Sequence, residues 1–150
     1  MKGGGHASNP GFSSTHGVQI SLARFSNITV DPDAGTVGLG PGLIWDQVYA
    51  ALDSIGLHAI GARLPGVGVA GVTLGGGEYH SLLDASTGLD PCYFVGYSFK
   101  SNEFGLSVDN VVSYDLVLPN GTITKITSDD TDLWFGLRVG YNAANAPRYC

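Results

Sequence analysis

The chain opens Lys2-Gly3-Gly4-Gly5-His6, and this run constrains its fold and chemistry more than any other stretch. Successive residues without Cβ let another backbone or a ligand come close to the main chain. They also admit positive φ, so that consecutive N–H groups can converge on an anion. His6 ends the run with a side chain suited to nucleophilic chemistry. A second glycine-rich stretch runs Gly66-Val67-Gly68-Val69-Ala70-Gly71-Val72-Thr73-Leu74-Gly75-Gly76-Gly77. The pattern predicts two glycine walls facing each other across one extended, phosphate-bearing cofactor.

Composition supports a ligand role for these glycines. They number 23 of 150 residues, about twice the usual roughly 7%, and they fall in runs rather than in linker-like spacing. Hydrophobic content of 43% against 13% charged residues describes one packed globular domain. A net charge of −6 with no basic patch argues against nucleic acid as partner. No apolar run reaches the roughly 18 residues of a membrane span, and residues 1–20 carry no apolar core of a signal peptide. Cys92 and Cys150 have no metal-like spacing, and neither do His16, His58 and His80. No metal site is expected.

Along the chain, Val18–Leu22 alternates like a half-buried strand. Residues 28–40 read as a hairpin around Asp31-Pro32-Asp33-Ala34-Gly35. Leu43–Leu52 reads as a helix stopped by Gly56, and Leu57–Ile60 as a short strand. Ser113–Leu118 and Thr122–Thr127 form a second hairpin, whose Asn120-Gly121 suits a type I′ turn. The acidic cluster Asp129–Asp132 is a helix cap rather than a metal site. Trp45 and Trp134 belong to helices as core residues, and Tyr97 and Phe99 lie in a polar-aromatic loop. Strands dominate, with short helices among them and no βαβ alternation, which is an α+β pattern. A P-loop reading fails because no Gly-Lys-Ser/Thr follows a glycine loop.

The ordered set of Lys2-Gly-Gly-Gly-His6-Ala7, Asn9-Pro-Gly-Phe12, Gly66–Gly77, Phe104–Val112, Leu118–Thr122 and Asp132–Arg138 resembles FAD-linked oxidoreductases. These have a PCMH-type (vanillyl-alcohol-oxidase) FAD-binding domain, and the resemblance is to the berberine-bridge-enzyme-like branch. The resemblance implies that Gly3, Gly4, Gly5 and Ala7 contact the cofactor and that His6 carries a covalent link to the flavin 8α-methyl. Chemically, a neutral imidazole nitrogen attacks the electrophilic methylene of a tautomerised flavin. Gly66, Val67, Gly68, Gly71, Thr73, Gly76 and Gly77 would line the ring system and diphosphate, with Asp109, Asn110 and Val112 closing the pocket. A second-link cysteine, present in some members, is replaced here by Leu64, so a single covalent attachment is expected. The implied function is FAD-dependent oxidation of an alcohol, sugar or specialised metabolite, with O2 as acceptor. The alternative is a truncated, inactive chain that binds no flavin.

The chain also departs from the family pattern. Its residues 1–142 correspond to a partial PCMH-type domain, mostly the second lobe of antiparallel sheet and helices. The first α/β lobe and the substrate domain, with the family's catalytic base, are expected to be absent, and 143–150 is a divergent tail. Residues 78–96 interrupt the pattern. Gly77-Glu78-Tyr79 is encodable as GGT GAG TAC, which contains a 5′ splice signal, so this segment is expected to be a retained intron. Sequencing the mature transcript checks this: the segment should be spliced out, and its retention would refute the idea.

Overall fold

The computed structural model describes residues 1–6, 11, 14–75 and 98–138. Its elements, in order, are β1 (Ile28–Asp31), β2 (Thr36–Leu39), α1 (Trp45–Asp53), α2 (Val69–Leu74) and α3 (Ser101–Phe104). A 3₁₀ turn at Ser107–Asn110 follows, then β3 (Tyr114–Val117), β4 (Ile123–Ile126) and α4 (Thr131–Arg138). Among the described residues the strands form two separate antiparallel pairs, β1–β2 and β3–β4. The α+β expectation holds.

Helix α1 organises the main core. Trp45, Val48 and Leu52, at i, i+3 and i+7, are buried with Leu43, Ala62, Val69 and Val72. Ile28, Val30, Val37 and Leu39 of the first hairpin pack against this cluster. The start of α1 has no side-chain acceptor at Ile44, but the Gln47 side chain accepts the Ile44 N–H at 3.0 Å. The helix ends as predicted at Gly56, whose φ of 72° sits in a Schellman motif. Its bonds run from Leu57 N–H to Leu52 O (3.0 Å) and from Gly56 N–H to Asp53 O (3.1 Å). Trp45 lies flat on Gly61, where any Cβ would enter the indole ring.

Four details differ from the sequence reading. The stretch after Gly68 is a helix, α2, although valine, glycine and threonine are poor helix formers. Burial of Val69 and Val72 against α1 overrides their propensity. Val18–Leu22 is not a strand but a single parallel bridge, Lys2 to Ser21. Alternation without a covering layer does not bury it: Val18 is 92% and Ile20 57% exposed. Leu57–Ile60 forms no strand, because the Schellman motif uses the Leu57 N–H. The Asn120-Gly121 turn is not type I′, since among the described residues, Asn120 included, none other than glycine has positive φ. Pro119 instead starts a turn closed by Gly121 N–H to Leu118 O (2.8 Å), with Gly121 at φ 84°.

The second hairpin and α4 form a smaller cluster. Ile126 is buried, and the Tyr114 ring meets Trp134 edge-on at 5.6 Å. The acidic cluster lies at the start of α4, where Asp130 O accepts the Trp134 N–H at 2.8 Å. The Asp130 carboxylate also accepts the Thr127 N–H at 3.0 Å.

Tyr49 bonds α1 to the segment that follows it, donating its hydroxyl to Ala62 O at 2.8 Å. Burial, with the nearby Asp46 charge, pushes its phenol from 10.0 up to about 12. The folded pKa is the raised one, so stability from this group is complete below pH 10.0 and is lost as pH rises towards 12. Tyr49→Phe should therefore cost about 1 kcal/mol at neutral pH through the unpaired Ala62 carbonyl. It should also flatten the decline in urea-unfolding free energy between pH 10.0 and 12. An unchanged decline would exclude Tyr49 as its source.

Candidate functional site

The two glycine stretches meet. A backbone bridge pins the first in place, with Lys2 N–H donating to Ile20 O (2.8 Å) and Leu22 N–H to Lys2 O (2.9 Å). The second is stitched to the start of α1 by Trp45 N–H to Val67 O (2.9 Å) and Val69 N–H to Leu43 O (2.9 Å). Between them the main chains touch. A Cβ on Gly4 would lie 2.6 Å from Gly68 Cα, and one on Gly68 would lie 2.7 Å from Gly4 N. Gly3 sits near Pro41 O and Ala70 Cβ, at 3.2 and 3.8 Å from a notional Cβ. The walls are therefore in backbone contact at Gly4–Gly68 rather than separated along their whole length.

Beyond this contact Gly5 and Gly66 take positive φ, of 72° and 78°. The exposed His6 ring reaches across to Gly66, its Cδ2 3.6 Å from where a Gly66 Cβ would stand. Gly71, on the exposed side of α2, has open space where its Cβ would be. The Gly66 N–H is not free for an anion, because it donates to Asp46 Oδ2 at 2.7 Å. Thr73 turns its hydroxyl back onto Val69 O at 2.8 Å, within its own helix. Leu64 is 37% exposed. Ala7, Gly76 and Gly77, with His80, Tyr97, both cysteines and segments 78–96 and 143–150, lie outside the described residues.

Asp109 belongs to the 3₁₀ turn, which packs against α2 together with α4. Both its oxygens are engaged: Oδ2 accepts the Leu106 N–H at 2.9 Å, and Oδ1 pairs with Arg138 at 3.1 Å. Arg138 also stacks over Trp134, 5.5 Å from the ring centroid. Asn110 donates to Phe104 O and Leu106 O at 2.9 and 2.8 Å. These contacts make Asp109 and Asn110 braces of the turn beneath α2. Val112 is 66% exposed. Burial pushes the Tyr114 phenol up, partly offset by the Arg138 charge. Among the described residues no cluster of three metal-ligating side chains occurs.

Asp46 went unnoticed in the sequence. An aspartate in the first turn of a helix is ordinary; its bond to a glycine 20 residues later depends on the tertiary contact between α1 and the second glycine stretch.

Comparison with known proteins gives a consistent picture. The family described as FAD binding domain matches residues 1–87. The FAD-dependent monooxygenase macF of Penicillium terrestre is 40% identical over 145 residues, covering 95% of this chain and 25% of that protein. The FAD-dependent monooxygenase yanF of Aspergillus niger is 37% identical over 145 residues, covering 95% and 22%. The chain thus spans about a quarter of the length of these curated relatives. Among solved structures, 6-hydroxy-D-nicotine oxidase from Arthrobacter nicotinovorans superposes with a TM-score of 0.70 at 24% identity, covering 91% of this chain and 26% of its own. Xylooligosaccharide oxidase from Myceliophthora thermophila, in complex with xylobiose, superposes at 0.59 with 30% identity, covering 78% and 21%.

The geometry separates two glycines of the same stretch. Gly68→Ala should destabilise the ligand-free chain, since its Cβ meets backbone at 2.7 Å. Gly71→Ala should be neutral or stabilising by about 0.5–1 kcal/mol, being helical with open space around it. Urea midpoints of the two variants check this, and equal loss in both would refute the distinction.

Proposed function

The chain belongs to the FAD binding domain family, and from that premise we propose that it holds FAD at its glycine stretches with His6 as the residue of covalent attachment. The enzyme it serves is an oxidoreductase whose substrate electrons pass to the flavin and on to O2. The observation that carries this reading is the His6 imidazole facing the bare side of Gly66, between two glycines held at positive φ. A side chain at either glycine would be strained, and a bare main chain is what a flat, phosphate-bearing ligand needs on approach. The open side of Gly71 adds a second bare surface on α2.

When bound, FAD supplies the redox chemistry, accepting two electrons from substrate as a hydride equivalent. The protein's own part is to bind and orient. The Gly3–Gly5 stretch serves the pyrophosphate, as the family resemblance implies, and the Gly66 N–H is donated to Asp46. Leu64 occupies the position of a second-link cysteine and has no thiol, which supports a single link through His6. Similar structures named as oxidases support O2 as acceptor. The substrate is an alcohol, sugar or specialised metabolite, one class among many that this kind of domain serves.

The test is a flavin absorbance scan of the full chain after incubation with FAD, from about 300 to 550 nm, before and after acid precipitation. Flavin should stay with the wild-type pellet and leave the His6→Ala pellet. Flavin washed out of both pellets would refute the covalent link, and a chain that takes up no FAD in solution would refute binding.

A further inference from the structure

We infer that Asp46 is a positioning residue for His6, acting through Gly66. The inference rests on the reading of His6 as the flavin attachment residue. The second glycine stretch is tied to α1 by backbone bonds at Val67 and Val69. Gly66 lies one residue beyond those ties, where the chain turns with φ 78°. Asp46 sits in the first turn of α1, immediately after the residue whose N–H bonds Val67. Helix geometry directs its own N–H along the helix axis, so the side chain takes over the cross-link. Its Oδ2 accepts the Gly66 N–H at 2.7 Å, a charge-assisted bond of the short, strong kind.

Gly66 also faces the His6 ring, whose Cδ2 lies 3.6 Å from where a Gly66 Cβ would stand. Two soft elements therefore meet at one point: an exposed histidine on a glycine loop, and a glycine that could take many backbone conformations. Nothing in the local sequence of either fixes the other. The Asp46 carboxylate does so by removing the freedom of Gly66 from outside the loop. The surface against which the imidazole rests is then set by the rigid start of α1, which is anchored in the core through Trp45 and Val48. A near-attack arrangement depends on that kind of support, because small misplacements of a reacting group cost large factors in rate.

The closing experiment uses the full chain, isotope-labelled, in two readouts. Without flavin, the nuclear Overhauser contact between His6 Hδ2 and Gly66 Hα is recorded for wild type, Asp46→Ala and Asp46→Asn. With FAD, the rate at which acid-stable flavin appears is followed. Wild type and Asp46→Asn, which retains an acceptor oxygen, should show the contact. Asp46→Ala should lose it and fix flavin at least roughly tenfold more slowly. A purely structural tie would lower the melting temperature of Asp46→Ala while leaving contact and rate unchanged, and that result overturns the inference. If Asp46→Ala fails to fold, the wild-type chain decides. Its Gly66 amide must then exchange at least roughly tenfold more slowly than an unprotected amide; fast exchange or a missing His6–Gly66 contact overturns the inference. Loss of the contact in Asp46→Ala, with no flavin fixed even by wild type, overturns the flavin reading and leaves the positioning role standing.

Discussion

The contact of Gly4 with Gly68, backbone on backbone, is the constraint on which the rest of the site depends. Neither position has room for a Cβ, so the first five residues and the second glycine stretch approach to main-chain distance. That approach brings Gly5, His6 and Gly66 to the same place, and it sets where α2 begins. It also divides the glycines by cause. Gly4 and Gly68 answer to packing, Gly5 and Gly66 to backbone conformation, and Gly71 to neither, since open space surrounds it. A glycine with no local demand on it, on the exposed side of a helix beside the site, is the one whose presence a ligand explains best.

The main core transmits this arrangement. Trp45, Val48 and Leu52 of α1 pack with Val69 and Val72 of α2, so the short helix is held by its buried side chains rather than by its own propensity. A six-residue helix with an internal glycine is weak alone. Its other flank rests on the 3₁₀ turn and α4, where Asp109, Arg138 and Trp134 interlock. A ligand that binds only the assembled form would add to the stability of all these contacts together.

Much of this was legible in the sequence. Both hairpins and α1 with its glycine stop follow from period and turn chemistry; the two glycine stretches are expected to face each other across a cofactor and instead touch at Gly4–Gly68. The ordered motifs located the family, and the match over residues 1–87 confirms it. What escaped was set by tertiary contact. In the sequence the α2 helix reads only as part of a glycine wall, because valine and glycine disfavour helices, and only burial against α1 reverses that. The alternation of Val18–Leu22 promised a half-buried strand, but a strand exists only where a neighbour pairs with it. Asn120-Gly121 pointed to a type I′ turn, but Pro119 fixes the first turn dihedral and the turn closes from Gly121 N–H to Leu118 O.

Two aspartates show the same limit from the functional side. Asp109 stood out because it lies in a family-like motif, and its oxygens prove to be taken up by Leu106 N–H and Arg138. Asp46 carried no signal, yet its carboxylate reaches the glycine beside His6. Electrostatics makes that placement informative. A carboxylate close to an anion site repels the anion and would weaken binding unless its charge is engaged elsewhere. By taking the Gly66 N–H, Asp46 both satisfies its own charge in part and withdraws that donor from any phosphate. On the proposed reading, the first glycine stretch serves the pyrophosphate, while Gly66 is left to support the imidazole. One carboxylate thus separates the two tasks that a pair of glycine walls would otherwise share.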